Sequence, residues 1–428
     1  MKLKVNILCA IIISMIMSSC NQNPKSNKDM QKGKQMTAKE ILGNPNYLAI
    51  SYGGYREKSR DSQPTIKELK DDMKLLSVMG IKILRTYNVQ LPHASNILKA
   101  ITELKKEDSN FEMYVMLGAW IDCLNAWTDQ PVDHNVESPN NAAEIERAVA
   151  LANKYPDIVK VLAVGNEAMV KWAESYYVQP NVILKWVTHL QELKTQDKLP
   201  KDLWITSSDD FASWGGGEDQ YHVEDLEKLI KAVDYISMHT YPYHNSHYNP
   251  EFWGVPEAED SLADIDKIHA AIERAIQFSK RQYDSVTNYM KSIGVNKPIH
   301  IGETGWATVS KGFYGPNGSR ATDEYKQGLY YKLMREWTNT AGISCFYFEA
   351  FNEQWKDAHH PNGSENHFGL FTIDGKAKYP IWDLVDDGVF DGLTRNGNPI
   401  TKTYSGNKKA LMKDVLVPPA LDEIMANR

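Results

Sequence analysis

The sequence predicts a single-domain (β/α)8 barrel of the TIM-barrel class. Between residues 47 and 353, short runs with β-branched and aromatic residues alternate with longer amphipathic stretches, and eight such runs are present. An open doubly wound sheet is the alternative. The segment 51–55, Ser-Tyr-Gly-Gly-Tyr, argues against it, because it lacks the glycine spacing of a phosphate-binding turn.

Each strand candidate is a short run whose β-branched or aromatic residues fit a pleated, buried strand. Helical crossovers between consecutive runs are the usual connection of parallel strands, which favours closure of the eight strands into a barrel. In chain order the candidates cover residues 47–53, 81–87, 112–120, 159–167, 203–209, 233–241, 298–306 and 343–351.

The stretches between these runs have apolar residues at helical spacing, which predicts amphipathic helices packed on the strands. Clear examples are residues 66–79, 142–155, 181–196, 262–293 and 323–340. No repeat of fixed period and no Pro- or Ser-rich linker interrupts the chain after about residue 45. We therefore assign residues 46–428 to one barrel domain, with the part after Trp382 packing back as a C-terminal extension. A disordered tail is the alternative for its last residues.

The N-terminus has the pattern of an export signal. Lys2 and Lys4 precede an apolar run over residues 5–17, and Ser18-Ser19-Cys20 follows. Small residues before a cysteine resemble the cleavage box of bacterial lipoproteins, although Met17 departs from the usual leucine. This predicts a signal peptide over residues 1–19, lipidation of Cys20 and a polar tether over residues 20–45.

Export is expected on either interpretation of this segment, because the alternative is a plain cleaved signal. The lipoprotein interpretation predicts a protein of the cell envelope that meets a membrane only through its lipid anchor. The outer-membrane, periplasmic and cell-surface faces all stay open. A monomer is the default expectation.

Composition argues against several other classes. The formal net charge is −7 and no basic run is present, which argues against a nucleic-acid partner. Once Cys9 and Cys20 are set aside, only Cys123 and Cys345 remain, and two cysteines do not make a disulfide framework or a clustered thiol metal site. The 11 Trp and 22 Tyr are typical of a protein that stacks on a polar ligand with flat faces, although most of them are expected in the core.

The ends of two strand candidates have the residues needed for acid–base chemistry. The fourth ends Gly165-Asn166-Glu167, and the seventh ends Gly-Glu-Thr-Gly-Trp with its glutamate at Glu303. Active sites of barrels lie at the C-terminal ends of the strands, so both carboxylates are expected at one mouth. Two carboxylates on opposite sides of a sugar are the minimal apparatus for cleaving a glycosidic bond.

These motifs resemble the glycoside hydrolases of clan A, and more narrowly glycoside hydrolase family 17. The likeness extends to the segments 347–356, 367–371 and 378–380, which read YFEAFNEQWK, HFGLF and KYP. It implies that Glu167 is the acid/base and Glu303 the nucleophile. It also implies hydrolysis of a β-1,3-glucan such as laminarin through a covalent glycosyl-enzyme, with configuration retained and without a metal or cofactor.

Other polar strand-end residues are candidates for contacts to the sugar or to the nucleophile. Tyr241 is expected to donate a hydrogen bond to Glu303, and Arg85 is expected to steady its charge. Asn166 is expected to bind the sugar 2-hydroxyl, an interaction that strengthens in the transition state. The strand-eight resemblance adds Glu349 and Lys356 as contacts to sugar hydroxyls.

Aromatic residues at the rim are candidates for a sugar-stacking platform, because a pyranose presents an apolar C–H face. The candidates are Trp306, Trp355 and Tyr52, with Trp120 at the end of the third strand; packing in the core is the alternative for each of them. The histidines at 239, 244 and 247 lack carboxylate or cysteine companions at ligand spacing, so no zinc site is predicted.

Two alternative functions stay open at this stage. A glucanosyltransferase would use the same two glutamates and pass the sugar to another glucan. A glycan-binding lipoprotein would have no use for two facing, desolvated carboxylates, so the pair favours an enzyme. Among hydrolytic modes an endo action is preferred.

Overall fold

Eight parallel strands close into a barrel in the computed structural model, which describes residues 36–426. Each strand pairs with its neighbours in chain order, and β8 closes the barrel on β1 with Phe346 opposite Ala49. The predicted (β/α)8 fold is confirmed. The strands are β1 (Leu48–Ser51), β2 (Ile81–Arg85), β3 (Tyr114–Ala119), β4 (Val159–Asn166), β5 (Trp204–Asp210), β6 (Ile236–His239), β7 (Ile299–Gly305) and β8 (Cys345–Phe348).

Seven long helices cover the outside of the barrel. They are α1 (Ile66–Val78), α2 (Pro92–Glu107), α3 (Asn141–Lys154), α4 (Pro180–Thr195), α5 (Glu224–Ala232), α6 (Asp264–Ser292) and α7 (Glu324–Ala341). Their ends follow local chemistry: Thr65 caps α1 through a capping box with Glu68, and Gly342 ends α7 in the left-handed conformation. The five predicted helices are present, and α2 and α5 are additional.

Shorter helices and strands lie in the loops and in the C-terminal part. The short helices are Ala38–Ile41, Pro242–Tyr248, Trp382–Asp386, Lys408–Leu411 and Leu421–Ala426. Two antiparallel strand pairs are also present: Cys123–Leu124 pairs with Asp133–Glu137, and Thr394–Arg395 pairs with Asn398–Pro399. Across residues 36–426, each helix is either too short or too polar to cross a membrane.

The helix Ala38–Ile41 corrects the predicted tether. Ala38 and Ile41 are fully buried and pack with Ala49 and Ile83 of the first two strands. The tether predicted over residues 20–45 is therefore too long, because apolar side chains after residue 36 belong to the barrel core. Cys20 and the predicted signal peptide lie outside the described residues.

The C-terminal part is tied to the barrel wall by a buried ion pair. Arg395 and Asp72 have no exposed side-chain surface, and Arg395 Nε lies 3.1 Å from Asp72 Oδ1. The Arg395 guanidinium also lies 4.0 Å from the centre of the ring of Phe351, three residues after the end of β8. Arg56 donates to both carboxylate oxygens of Asp72, at 2.8 Å to Oδ2 and 2.9 Å to Oδ1, and the Tyr52 hydroxyl donates to Oδ2 at 2.9 Å. This network connects the C-terminal extension to the rim.

Replacing Arg395 with methionine is expected to lower the free energy of unfolding by about 2 kcal/mol, because the buried Asp72 would lose one of its two guanidinium partners and keep only Arg56. Urea unfolding followed by circular dichroism measures the change. The matched control is Arg320→Met, whose 2.7 Å bridge to Glu423 is exposed, for which a loss of less than about 1 kcal/mol is expected. Equal losses in the two variants would contradict this account.

Candidate active site

A cleft with a volume of about 780 Å³ opens at the C-terminal ends of the strands. Ends of six strands and the loops after them contribute to its wall. The residues at or next to these strand ends are Tyr52, Tyr87, Trp120, Asn166, Glu303 and Glu349. The cleft therefore lies at the mouth where barrel enzymes place their chemistry.

Both strands that end in the candidate catalytic glutamates change register just before them. The pairing of β4 with β5 shifts between Ala163 and Asn166, and the pairing of β7 with β8 shifts between Ile301 and Thr304. An extra residue of this kind bends a strand and turns the next side chains to a different face. Glu303 consequently faces the cleft.

A glycine allows each of these irregularities. Gly165 has a φ of +82°, and a Cβ on it would lie 2.8 Å from the Ala168 side chain. A Cβ on Gly302 would lie 2.1 Å from the hydroxyl oxygen of Ser237. The glycines that precede Asn166-Glu167 and Glu303 are thus required by the local backbone and packing.

The two glutamates face each other across the cleft. One carboxylate oxygen of Glu167 lies within 4.8 Å of one of Glu303. A separation near 5 Å is typical of glycosidases in which one carboxylate attacks the sugar directly, whereas a larger gap leaves room for a water molecule.

Glu303 is surrounded by hydrogen-bond donors. Tyr241 donates to Oε1 at 2.6 Å, Tyr87 donates to Oε2 at 2.9 Å, and Arg85 forms an ion pair with Oε2. Burial alone would raise the pKa of this carboxyl, but Arg85 and the two hydroxyls outweigh it and lower the pKa. Glu303 is therefore held ionised, as a nucleophile must be.

Glu167 has the opposite environment. Burial, followed by repulsion from Glu303, raises its pKa well above the usual range of a carboxyl group. Its Oε1 lies 2.9 Å from His239 Nδ1, and the other ring nitrogen lies 2.8 Å from the Ser208 hydroxyl. Glu167 also has a φ of +46°, a strained conformation of the kind found at functional sites. The pair thus consists of one protonated and one ionised carboxyl group.

The donor atoms of Glu167, His239 and Glu303 are close enough together to hold a cation. Arg85 already places a fixed positive charge against Glu303, and Tyr87 and Tyr241 occupy further acceptor positions. A metal ion would compete with these contacts and lie beside a guanidinium group, so the donor set does not fit a resident metal.

Asn166 and Arg85 are positioned together. Arg85 donates to the side-chain oxygen of Asn166 through one nitrogen and contacts Glu303 and the Gly302 carbonyl through another. This orientation leaves the Asn166 amide N–H groups for a ligand in the cleft. The predicted contact between Arg85 and Glu303 is present, and the contact of Asn166 with the sugar stays a prediction.

Glu349 and Lys356 form an ion pair in the cleft wall, and Lys356 Nζ also lies 3.7 Å from Glu353 Oε2. Burial raises the pKa of Glu349 to about 8, although Lys356 opposes the shift. The Trp355 indole donates to Glu353 at 2.8 Å, which fixes the ring. All four residues line the cleft.

Two of the predicted stacking residues are corrected by their burial. Trp306 has no exposed surface, and its indole donates to the Ala321 carbonyl at 2.8 Å inside the core. Tyr52 borders the cleft but is 1% exposed, with its hydroxyl directed at Asp72. Neither ring has a face free for a sugar. Trp120 and Trp355 are half-buried and line the cleft, so they stay candidates.

The sequence interpretation missed two residues that contact the glutamates, Tyr87 and His239. Tyr87 follows Arg85 by two positions, and His239 precedes Tyr241 by two. Residues two apart on a strand share a face, so this alternation was an available signal. His239 is fully buried, and burial lowers its pKa to about 4, which keeps the imidazole neutral beside Glu167.

Comparison with known proteins places this geometry in a family. The sequence profile of the BtgE/BtgC glycoside hydrolase domain matches residues 49–369. A probable glucan endo-1,3-β-glucosidase btgC of Aspergillus fumigatus is 24% identical over 312 residues, which are 71% of this chain and 37% of the fungal protein. The chain thus spans little more than a third of the length of that curated relative.

Solved structures agree with the profile. An endo-laminarinase from Formosa Hel1_33_131 is 70% identical, with a TM-score of 0.89 and coverage of 90% of this chain and 98% of the other. A Rhizomucor miehei β-1,3-glucanosyltransferase, solved as an active-site mutant with laminaritriose, is 22% identical, with a TM-score of 0.54 and coverage of 78% and 96%; this likeness is one of fold. Because the matching profile extends from β1 past β8 and includes both facing glutamates, the chain belongs to the BtgE/BtgC glycoside hydrolase family.

Proposed function

We propose that this protein is a retaining endo-β-1,3-glucanase that hydrolyses laminarin-type glucans. The observation that supports it most directly is the facing pair of carboxylates, with oxygens within 4.8 Å of each other and pKa values shifted in opposite directions. The 70% identity to an endo-laminarinase supports the choice of substrate and the endo action.

In the first step Glu303 attacks the anomeric carbon while Glu167 protonates the departing glycosidic oxygen. The carbon–oxygen bond to the leaving glucan breaks and a bond to Glu303 forms, giving a covalent glycosyl-enzyme. Arg85, Tyr87 and Tyr241 hold the attacking carboxylate in place. Since these donors are already in position, little reorganisation is needed during the reaction.

In the second step Glu167, now ionised, takes a proton from a water molecule that attacks the same carbon from the opposite face. The bond to Glu303 breaks, and the product leaves with its original β configuration. Glu167 regains its proton and Glu303 its charge. Two successive inversions at one carbon therefore give net retention.

We also propose that the protein is exported and attached to the cell envelope through a lipid on Cys20. The support is the sequence pattern of Lys2, Lys4, the apolar run and Ser18-Ser19-Cys20. The enzyme acts as a monomer in this proposal. Radiolabelled palmitate incorporated by the wild type and absent from Cys20→Ser supports the anchor; incorporation by both overturns it.

The proposed activity is tested by incubating the protein with laminarin and, separately, with a mixed-linkage glucan. Proton NMR follows the anomeric configuration, and chromatography follows product length. We expect β-configured products from laminarin and a ladder of oligosaccharides at early times. Release of a single short product from the start would contradict endo action, and α-configured products would contradict retention.

The same experiment separates hydrolysis from transfer. A hydrolase raises the number of reducing ends in step with cleavage, whereas a glucanosyltransferase makes products longer than the donor oligosaccharide. Products longer than the donor as the main outcome would replace the hydrolase with the transferase. Absence of cleavage of both glucans would overturn the proposed activity.

A further inference from the structure

The wall of the cleft is asymmetric. Its lining residues come from the rim of β8, β1, β2 and β3 and from the two strands that end in the catalytic pair. Glu303 itself is part of this lining, together with Tyr87, Phe348 and Asn166. A sugar whose anomeric carbon contacts Glu303 therefore lies in the cleft, and the neighbouring sugars of the chain contact the rest of its wall.

The part of the wall formed by the loops after β3 and β4 contains three aromatic rings in mutual contact: Trp120 after β3, Trp127 in the following hairpin loop, and Tyr176 in the loop after β4. The Trp127 and Tyr176 rings are stacked, with centroids 4.9 Å apart and planes 20° apart. Trp120 lies 5.4 Å from Tyr176 and 6.4 Å from Trp127. All three line the cleft.

Trp127 is held in an exposed position. Trp127 is 61% exposed. Its φ is +63°, a backbone conformation that bulky residues rarely adopt. Strained conformations of this kind persist where the surrounding structure enforces them, and they are common at ligand-binding loops. The Thr128 hydroxyl donates to the Asn125 carbonyl at 2.7 Å and closes the turn that carries the ring.

The two loops that supply the rings are fixed to each other. The Cys123 amide donates to the Tyr176 carbonyl at 3.2 Å, and the His134 ring stacks on the neighbouring Tyr177 with centroids 3.6 Å apart. Asp122 accepts a hydrogen bond from the Trp120 indole at 3.2 Å. The ring surface is thus formed before any ligand binds, which reduces the entropy lost on binding.

We propose that Trp127, with Tyr176 and Trp120, forms a platform that stacks a sugar of the β-1,3-glucan chain other than the one bonded to Glu303. Flat aromatic faces suit the C–H faces of pyranose rings. The inference rests on the proposed function and adds a chain-length preference to it. We therefore expect long chains to contact the platform and short substrates to leave it empty.

The test compares kcat/KM for laminariheptaose with that for an aryl β-laminaribioside, in the wild type and in Trp127→Ala. We expect the variant to lose about fivefold to tenfold on laminariheptaose, the factor that one aromatic stack supplies, and less than about twofold on the short substrate. Trp127→Phe keeps a ring and is expected to recover most of the activity on the long substrate.

The matched control is Trp172→Ala, which removes an indole that is 66% exposed and lies outside the cleft lining. It is expected to leave both rates unchanged. Equal losses on long and short substrates in Trp127→Ala, or the same loss in Trp172→Ala, would overturn the platform while leaving the proposed function intact. Failure of the wild type to cleave either substrate would overturn the proposed function, and the platform with it.

Discussion

Replacing Glu303 with glutamine is expected to lower kcat for laminarin by roughly 10⁴-fold or more, as removal of a nucleophile does in other covalent enzymes. The amide cannot form the glycosyl-enzyme, and it also loses the charge that Arg85, Tyr87 and Tyr241 stabilise. Reducing-end release measures the rate, and unfolding curves that match those of the wild type show that the loss is chemical.

Azide provides a sharper test of this role. In Glu303→Ala, azide can occupy the space of the missing carboxylate and attack an aryl β-glucoside of laminaribiose from the same face. One inversion then gives an α-glycosyl azide, which NMR distinguishes from the β form. A β-azide, or glucanase activity retained in Glu303→Gln, would contradict the assignment of the nucleophile.

Replacing Glu167 with alanine is expected to affect substrates unequally. Cleavage of laminarin should fall by about 10²- to 10⁴-fold, because its sugar leaving group needs a proton in the transition state. An aryl laminaribioside with an acidic phenol needs little protonation, so formation of its glycosyl-enzyme should be nearly unaffected. A burst of phenol followed by slow turnover is the expected signature in stopped-flow measurements.

Azide should accelerate the slow phase in Glu167→Ala and give a β-glycosyl azide, because it attacks the glycosyl-enzyme without needing a base. The matched variant Glu303→Ala gives the opposite anomer. Equal loss on laminarin and on the aryl substrate in Glu167→Ala would show that this residue does not act as the acid.

The same variant also tests the pH dependence. In the wild type, the form that starts catalysis has Glu167 protonated and Glu303 ionised. Raising the pH through the raised pKa of Glu167 removes the acid, and lowering it through the depressed pKa of Glu303 removes the nucleophile. We expect the alkaline limb to disappear for aryl substrates in Glu167→Ala and the acidic limb to stay.

The barrel and the catalytic pair could be predicted because local sequence patterns indicate both of them. Strand-like runs alternate with helical periodicity, and Glu167 and Glu303 end apolar strands at the mouth. Tyr241 was identified from its strand-end position next to β7. These inferences need only the order of strands around the rim and the direction of the chain.

Other predictions depended on packing that local pattern does not specify. Trp306 lies just after the end of β7, and its burial depends on the loop that covers it, where the Ala321 carbonyl accepts a hydrogen bond from the indole. The boundary of the tether was missed because the helix Ala38–Ile41 has only one turn, which is too short for a periodic signal. Trp127 lies in a loop whose shape depends on contacts with another loop.

The register shifts in β4 and β7 make the distance between the two carboxylates depend on the number of residues in each strand. Deleting one residue before Glu167 or Glu303 would rotate the glutamate towards the helix layer, which next to Glu167 includes the Ile183 side chain. Insertions and deletions at residues 163–166 or 301–303 should therefore abolish catalysis even when every side chain of the site is kept. The distance between the two carboxylates thus depends on the number of residues in β4 and β7. A sequence comparison that scores only residue identity would not detect a change in that number.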